Sequence, residues 1–224
     1  AFCSLYEDVP YRLKDLSQIE EHLEQVVALL GEAMALRQHV FLGDANALLA
    51  PDATLKSALR LVERQLPGPS RGGARSFVDA FSRLPTDLRG LRAAGLERIY
   101  LGLETGHGPL LARLGKPGTP ARAIEVVRAA QRAGIEVGVI VLVGIGGREH
   151  DEEHVRDTAA VLRAMSLGDR DTVFLSPLLL PAGASVPGGV LVEDERRDQE
   201  RRLRELVQSL AAQVTSYSLE RWLY

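Results

Sequence analysis

Residues 136–144, EVGVIVLVG, decide the fold predicted from this sequence. The run is nearly continuous in branched apolar side chains, which is typical of a strand covered on both faces in a parallel sheet. A helical pattern precedes it at 119–134, and another follows it at 151–165. Thr119 and Asp151 are residue types that favour a helix N-terminus. The three segments together predict a strand joined on both sides to helices, as a parallel α/β sheet requires.

The same alternation extends over the rest of the chain. Strand-like runs also occur at 39–43 (HVFLG), 74–81 (ARSFVDAF), 98–104 (RIYLGLE) and 171–176 (DTVFLS). Helices are predicted from Ser17, after Asp52, from Thr86 and from Glu193 to about residue 216. The fold class is therefore α/β with five parallel strands, but a doubly wound sheet and a barrel give the same string of elements. We divide the chain into a core at 1–192 and a C-terminal helix region at 193–224 that packs on it.

Composition and charge exclude several classes of protein. The 224 residues are 46% hydrophobic and 25% charged, with a formal net charge of −3, which gives no signal for nucleic-acid binding. The single cysteine, Cys3, excludes an internal disulfide framework and fits a reducing compartment. No apolar run reaches the ~20 residues that span a bilayer, and no segment resembles a secretory signal. We therefore expect a cytoplasmic protein without a membrane partner.

Polar residues and glycines collect where the predicted strands end. They are Gly43, Asp44, Asn46, Asp79, Glu104, Thr105, Gly144, Gly146 and Gly147. In parallel α/β folds the carboxyl ends of the strands meet at one edge, where ligands bind. A turn or a helix cap explains each residue singly, but the repeated placement favours a binding face.

Five segments resemble, in the same order, parts of the radical S-adenosylmethionine superfamily. They are FCSLY (2–6), FLGDANALL (41–49), YLGLETGHGPLLARLGKPGT (100–119), VGVIVLVGIGGREHDEE (137–153) and FLSPLLLPAGA (174–184). The first is similar to the end of the family's three-cysteine loop and the third to its glutamate-bearing fourth-strand segment. Within the superfamily the chain most resembles the branch of methylthiotransferases and coproporphyrinogen-oxidase relatives. The resemblance implies a partial parallel (β/α) barrel, similar to a TIM barrel, that lacks its first strand.

The same resemblance implies two cofactors, a [4Fe-4S] cluster and S-adenosylmethionine. Reductive cleavage of S-adenosylmethionine would give a 5′-deoxyadenosyl radical that abstracts hydrogen from a substrate that the sequence does not identify. Cys3 is the implied cluster ligand, and a cluster of this kind needs several cysteine thiolates. We therefore expect a piece of a longer protein, with two more cysteines before Ala1, that is inactive as written. A flavodoxin or ferredoxin is the implied electron donor.

Individual contacts to S-adenosylmethionine are also implied only by the resemblance. The ammonium would meet Gly43, Asp44 and Asn46, with Glu104 near the ammonium or the ribose, Phe2 and Ile145 against the adenine, and Leu178 close by. The carboxylate needs a cation, for which Lys116 is the first candidate and Arg122 the second. A solvated charge at a helix end is the competing interpretation of both.

Two other functions are compatible with the sequence. One is an inactive scaffold or binding module on the same fold. The other is a zinc-dependent barrel hydrolase that uses His150 and His154, which are spaced like the histidines of H-E-x-x-H. Asp151 stands where that motif needs glutamate, so zinc is the weaker hypothesis.

Overall fold

A six-stranded parallel sheet forms the centre of the protein, and the computed structural model describes residues 10–43, 46–66, 73–179 and 188–217. The strands are β1 (Val40–Leu42), β2 (Ala74–Val78), β3 (Leu96–Glu104), β4 (Glu136–Val143), β5 (Thr172–Pro177) and β6 (Gln213–Ser216). The helices are α1 (Leu16–Leu30), α2 (Asp52–Gln65), α3 (Leu88–Ala93), α4 (Gly108–Arg113), α5 (Pro120–Arg132), α6 (Asp151–Met165) and α7 (Glu193–Val207). Short 3₁₀ turns occupy Gly31–Leu36 and Ala47–Leu49.

The strand order distinguishes the two architectures that periodicity leaves open. The strands lie in the order β1-β2-β3-β4-β5-β6, and every neighbouring pair is parallel. A doubly wound sheet reverses its strand order at a switch point, and this sheet does not. Sequential parallel strands with crossovers of one hand put the helices on one face. The prediction of an α/β, partial TIM-barrel-like fold is confirmed.

The two faces of the sheet are chemically different. On the helix side, the apolar side chains of β4 join one large cluster with α5, α6 and α7; from β4 these are Val137, Val139, Val141 and Val143. On the opposite face an aromatic row takes one ring from each of β1, β2, β3 and β5, with neighbouring ring centroids 4.9–6.1 Å apart; its members are Phe41, Phe77, Tyr100 and Phe174. The helix side is therefore the main core, and the aromatic row lies on the face that would be the inside of a barrel.

The C-terminal region differs from the prediction of one helix to about residue 216. Helix α7 ends at Val207, and Gln213–Ser216 forms the sixth strand, which pairs with β5. Leu210 and Val214 fit a helical spacing, but the backbone of Gln213 donates to Asp171 O (3.2 Å). Pairing along β5 outweighs the local helical pattern, because β-branched Val214 and Thr215 also suit a strand.

Two predicted helix caps also lie at neighbouring residues instead. Asp15, not Ser17, caps α1, with its carboxylate accepting from Gln18 N at 2.9 Å. Asp87, not Thr86, caps α3, with its carboxylate accepting from Gly90 N at 2.8 Å. A carboxylate is as good an N-cap as a hydroxyl, so adjacent candidates are not separated by residue type. Within the described residues no helix is both long and apolar enough to cross a membrane.

Candidate functional site

Glu104 ends β3 in a conformation that is unusual for a residue with a side chain. Its φ is +61°, and Thr105 N donates to Leu103 O at 2.7 Å across it, which closes a three-residue γ-turn. The register with β4 also shifts between Gly102 and Glu104. Positive φ at the centre of such a turn is rare and strained, and a bulge of this kind redirects side chains. The backbone therefore turns the Glu104 carboxylate away from the position that a regular strand would give it.

The carboxylate of Glu104 forms an ion pair with Lys116, which lies after α4. The same ammonium donates to Gly102 O at 2.9 Å, so Lys116 is held against the end of β3. Only 12% of the Glu104 side chain and 19% of the Lys116 side chain are exposed. A Cβ on Gly102 would lie 2.5 Å from Glu104 Oε1 and 3.1 Å from Lys116 Nζ. The absence of a side chain at Gly102 is what leaves room for the pair.

A second polar pair joins the ends of β1 and β2. Asn46 Nδ2 donates to Asp79 Oδ2 at 2.7 Å, and Asn46 Oδ1 accepts from Leu48 N at 3.0 Å. Burial raises the pKa of Asp79, but hydrogen bonds from Asn46, Ser82 and Phe81 outweigh it and lower the pKa below its usual value. Asp79 therefore stays ionised and fixes the Asn46 amide at the edge of the sheet.

Two contacts hold the surrounding loops close to these pairs. Gly118, in the turn after Lys116, has φ +97°, and a Cβ there would lie 3.3 Å from the carbonyl of Ala80, just beyond β2. Gly43, at the end of β1, has φ +68°, and its Cβ would lie 3.3 Å from that of Ala47. The ends of β1, β2 and β3 thus carry one connected set of polar groups and close backbone approaches.

The glycine segment after β4 presents backbone rather than side chains. Gly144, Gly146 and Gly147 all have positive φ, and Gly144 N donates to the buried Gln199 Oε1 of α7 at 2.6 Å. Ile145 is fully buried in a small apolar cluster that also contains Leu110, Leu114 and Leu178. The structure thus brings Ile145 and Leu178 together, but the Ile145 side chain has no free surface for a ligand.

One other predicted site residue forms an ion pair elsewhere, and three lie outside the described residues. Arg122 lies in the first turn of α5 and pairs with Glu125 at 2.7 Å on an exposed surface. Phe2, Cys3 and Asp44 lie outside the described residues. The place of Asp79 at a strand end is predicted from the sequence, but its hydrogen bond with Asn46 is not, because the two residues are 33 positions apart.

The histidine pair proposed for zinc does not form a metal site. His154 is fully buried with Nδ1 at 2.9 Å from Thr105 Oγ1, and His150 Nε2 contacts Arg113 at 2.5 Å. No three histidine, cysteine or carboxylate side chains converge as metal ligands anywhere in the described part of the chain. The described residues give the zinc hypothesis no support, because His150 is the N-cap residue of α6, whereas the motif needs both histidines on one helix face.

The residues at this edge fit an amino-acid nucleotide. Glu104 and Asn46 carry oxygens of the kind that an ammonium group needs, and Lys116 carries the charge that a carboxylate needs. The glycine segment offers backbone at close approach, which suits a flat base.

The fold recurs in solved structures. Methylornithine synthase matches with a TM-score of 0.56 at 17% identity, over 92% of this chain and 62% of its own. HydG, a maturase of the [FeFe]-hydrogenase, matches with a TM-score of 0.60 at 15% identity, over 96% and 52%. Coproporphyrinogen III oxidase from Escherichia coli, a radical SAM enzyme, matches with a TM-score of 0.57 at 12% identity, over 84% and 46%. The chain thus spans roughly half to three fifths of these proteins, and such identities establish the fold alone.

Sequence comparisons identify a family but no individual relative. Comparison with curated protein sequences gives no significant match. The model of the Radical SAM superfamily matches residues 1–162, which is most of the chain. Members of this superfamily use a [4Fe-4S] cluster and S-adenosylmethionine. The chain, with its partial barrel and its polar strand ends, belongs to the Radical SAM superfamily.

Proposed function

We propose that this chain is the S-adenosylmethionine-binding core of a radical enzyme and that the ligand lies along the carboxyl edge of β1–β4. When bound, the cluster would supply the electron that cleaves the sulfonium of S-adenosylmethionine, and the nucleotide would supply the radical that takes hydrogen from the substrate. The protein's own residues bind and orient the nucleotide and keep water from the reacting atoms. Cys3 would be one cluster ligand, and a flavodoxin or ferredoxin would be the electron donor.

The Glu104–Lys116 pair suits the amino-acid end of the ligand. An α-amino acid carries an ammonium and a carboxylate on one carbon, and the pair carries the opposite charges side by side. The ammonium would bind Glu104 and the carboxylate would bind Lys116, so one ion pair is exchanged for two. Partly buried charge pairs of this kind interact more strongly than exposed ones. Arg122 is the weaker candidate, because its ion pair with Glu125 lies on an exposed surface, where water screens the charge.

The remaining predicted contacts would orient the nucleotide. Asn46, fixed by Asp79, is the proposed second oxygen near the ammonium, with the backbone of Gly43 beside it. The backbone of 144–147 is proposed against the adenine, with Leu178 close by and Ile145 acting only through its main chain. Phe2 and Asp44 complete the proposed set.

One observation carries this proposal: a glutamate with positive φ at a strand end, paired with a lysine that also donates to the partly buried carbonyl of Gly102. Strained residues persist where the surrounding structure holds them, and they concentrate at functional sites. A solvated surface charge needs neither the turn nor the space made by Gly102.

Substitution of Glu104 is tested in the full-length protein, reconstituted anaerobically with iron and sulfide. We expect Glu104→Gln to raise the dissociation constant of S-adenosylmethionine at least tenfold, because a charge-assisted hydrogen bond to the ammonium contributes about 1.5–3 kcal/mol. Equilibrium dialysis with labelled S-adenosylmethionine measures this constant. Glu97→Gln is the matched control: Glu97 lies at the other end of β3 and pairs with Arg92 at 2.6 Å.

Equal affinities of Glu104→Gln and the control would contradict the proposed role of Glu104. Release of 5′-deoxyadenosine after dithionite reduction distinguishes a radical enzyme from an inactive scaffold on the same fold. Iron and sulfide contents that are the same in wild type and Cys3→Ala would rule out Cys3 as a cluster ligand.

A further inference from the structure

Helix α6 contacts, one after another, the three residues that follow Glu104. His154 Nδ1 lies 2.9 Å from Thr105 Oγ1, Thr158 Oγ1 accepts from Gly106 N at 2.8 Å, and Asp157 Oδ2 lies 2.7 Å from His107 Nδ1. His154 and Thr158 are fully buried. Buried polar contacts of this kind have no water to replace them when one partner is removed.

The backbone of Gly106 lies directly on α6. A Cβ on Gly106 would be 2.5 Å from Asp157 O, 2.5 Å from Thr158 Cα and 2.6 Å from Thr158 N. All three are main-chain atoms of a helix, which cannot rotate out of the way as a side-chain end can. The separation between the Glu104 turn and α6 is therefore fixed by the absence of a side chain at Gly106.

The strain at Glu104 needs a structure that holds it. The γ-turn across Glu104 is closed by one short-range hydrogen bond, from Thr105 N to Leu103 O. A turn with positive φ at a glutamate relaxes unless other contacts fix the residues beside it. The contacts made by α6 are on the residues immediately after the turn, so they supply that restraint.

Helix α6 also begins where the glycine segment ends. The segment 144–147 leads through His150, the N-cap residue, into α6, and Asp151 in the first turn accepts from Gln199 Nε2 at 2.6 Å. One helix is thus joined at its start to the segment proposed for the adenosine end and, one to two turns later, to the turn proposed for the amino-acid end.

We propose that α6 positions Glu104 for S-adenosylmethionine, and that His154, Asp157 and Thr158 are positioning residues that act through Thr105, Gly106 and His107. This inference rests on the proposed function. It assigns a role in cofactor affinity to three side chains that do not contact the cofactor. Their removal relaxes the turn and moves the Glu104 carboxylate, while the sheet and its core remain.

The second prediction tests Thr158 in the same reconstituted protein. We expect Thr158→Val, which keeps the shape but not the hydroxyl, to raise the dissociation constant of S-adenosylmethionine about tenfold, because one buried hydrogen bond is lost. Thr158→Ser keeps the hydroxyl and is expected to bind within about twofold of wild type by the same reasoning. Val161→Ala is the control for stability, since Val161 is a buried core residue of α6 outside the three contacts.

Affinity and thermal midpoint are measured together, because a purely structural role would change only the midpoint. The inference would be overturned if Thr158→Val bound S-adenosylmethionine as wild type does while its thermal midpoint fell as that of Val161→Ala does. If Thr158→Val does not fold, Asp157→Ala is measured in its place. This variant is expected to fold, because Asp157 is partly exposed and alanine favours a helix. A threefold or greater loss of affinity in Asp157→Ala supports the inference, and a smaller one overturns it.

The outcome for Glu104→Gln separates the two proposals. If Glu104→Gln binds as wild type does, the proposed function of Glu104 fails. If Glu104→Gln loses affinity while Thr158→Val and Asp157→Ala keep it, only the positioning role of α6 fails.

Discussion

Gly102 is the residue at which one added methyl group would act most directly on the site. Its Cβ would lie 2.5 Å from Glu104 Oε1, at the end of a flexible side chain. We therefore expect Gly102→Ala to displace the carboxylate and weaken S-adenosylmethionine binding several-fold. The free energy of unfolding should change by less than about 1 kcal/mol, since alanine is no worse than glycine in a strand. Isothermal titration and urea denaturation measure the two quantities.

Gly168→Ala is the control for an added methyl group. A Cβ on Gly168 would meet only Asp171 Oδ2, at 3.9 Å, and Gly168 lies in the turn that precedes β5. Unchanged affinity in Gly102→Ala would show that Glu104 does not need its present position to bind the ligand.

His154 makes stability depend on pH. Burial lowers the pKa of His154 to about 4, against a smaller opposing effect of Asp151. In the unfolded chain His154 binds a proton near pH 6.5, and in the folded chain it does not. The contribution of neutral His154 to the free energy of unfolding is therefore fully present above pH 6.5 and is lost as the pH falls towards 4. The loss is on the order of 3 kcal/mol, from 1.36 kcal/mol per pH unit.

Denaturant titrations of wild type and His154→Asn between pH 7 and 4 test this prediction. His154→Asn should lose less stability over that interval, although it starts lower. His22→Asn, at an exposed position on α1, should keep the wild-type slope. If the free energy of unfolding fell equally steeply with pH in His154→Asn and in wild type, another group would be the cause of the acid sensitivity.

At the scale of elements, α7 is a charged helix attached by a narrow buried stripe. Gln199, Leu203 and Val207 are its buried residues, while ion pairs spaced three and four positions apart cover its outer face. Gln199 bonds both Gly144 N and Asp151 Oδ1. Helix α7 therefore holds the glycine segment through Gln199 and also packs its apolar residues into the main core.

Leu203→Ala tests how far α7 depends on that stripe. Leu203 is fully buried in the main cluster, so we expect a loss of roughly 2–5 kcal/mol in the free energy of unfolding. Leu206→Ala is the control, because Leu206 is 43% exposed and should cost under about 1 kcal/mol. Similar losses in the two variants by urea denaturation would show that the helix is not anchored by Leu203.

The elements also show where sequence patterns are informative. The four apolar valines of β4 and the Thr119 cap of α5 predict their elements correctly, because burial on both faces and capping are local signals. Strand β6 is missed because Leu210 and Val214 fit a helical spacing, and only its pairing with β5 decides otherwise. That pairing joins residues about 40 positions apart, which a local pattern does not contain.

For the molecule as a whole, the sequence predicts which edge of the sheet carries the site but not how the site is held. Glu104 and Lys116 are identified by position and resemblance, while the positive φ of Glu104 has no sequence signal, since glutamate is not a residue that favours it. The contacts of Thr105 and Gly106 come from α6, about 50 positions later. Long-range contacts of this kind exist only after the sheet has formed.

The sequential strand order has a consequence for synthesis on the ribosome. Each strand of the described sheet pairs with the strand made just before it, so strand pairing does not depend on a strand that lies much later in the chain. Chains are made from the N-terminus, and contacts close in sequence form fastest. The sheet can therefore grow one β-α unit at a time as the chain emerges, and the Glu104 turn acquires its support only when α6 has left the exit tunnel.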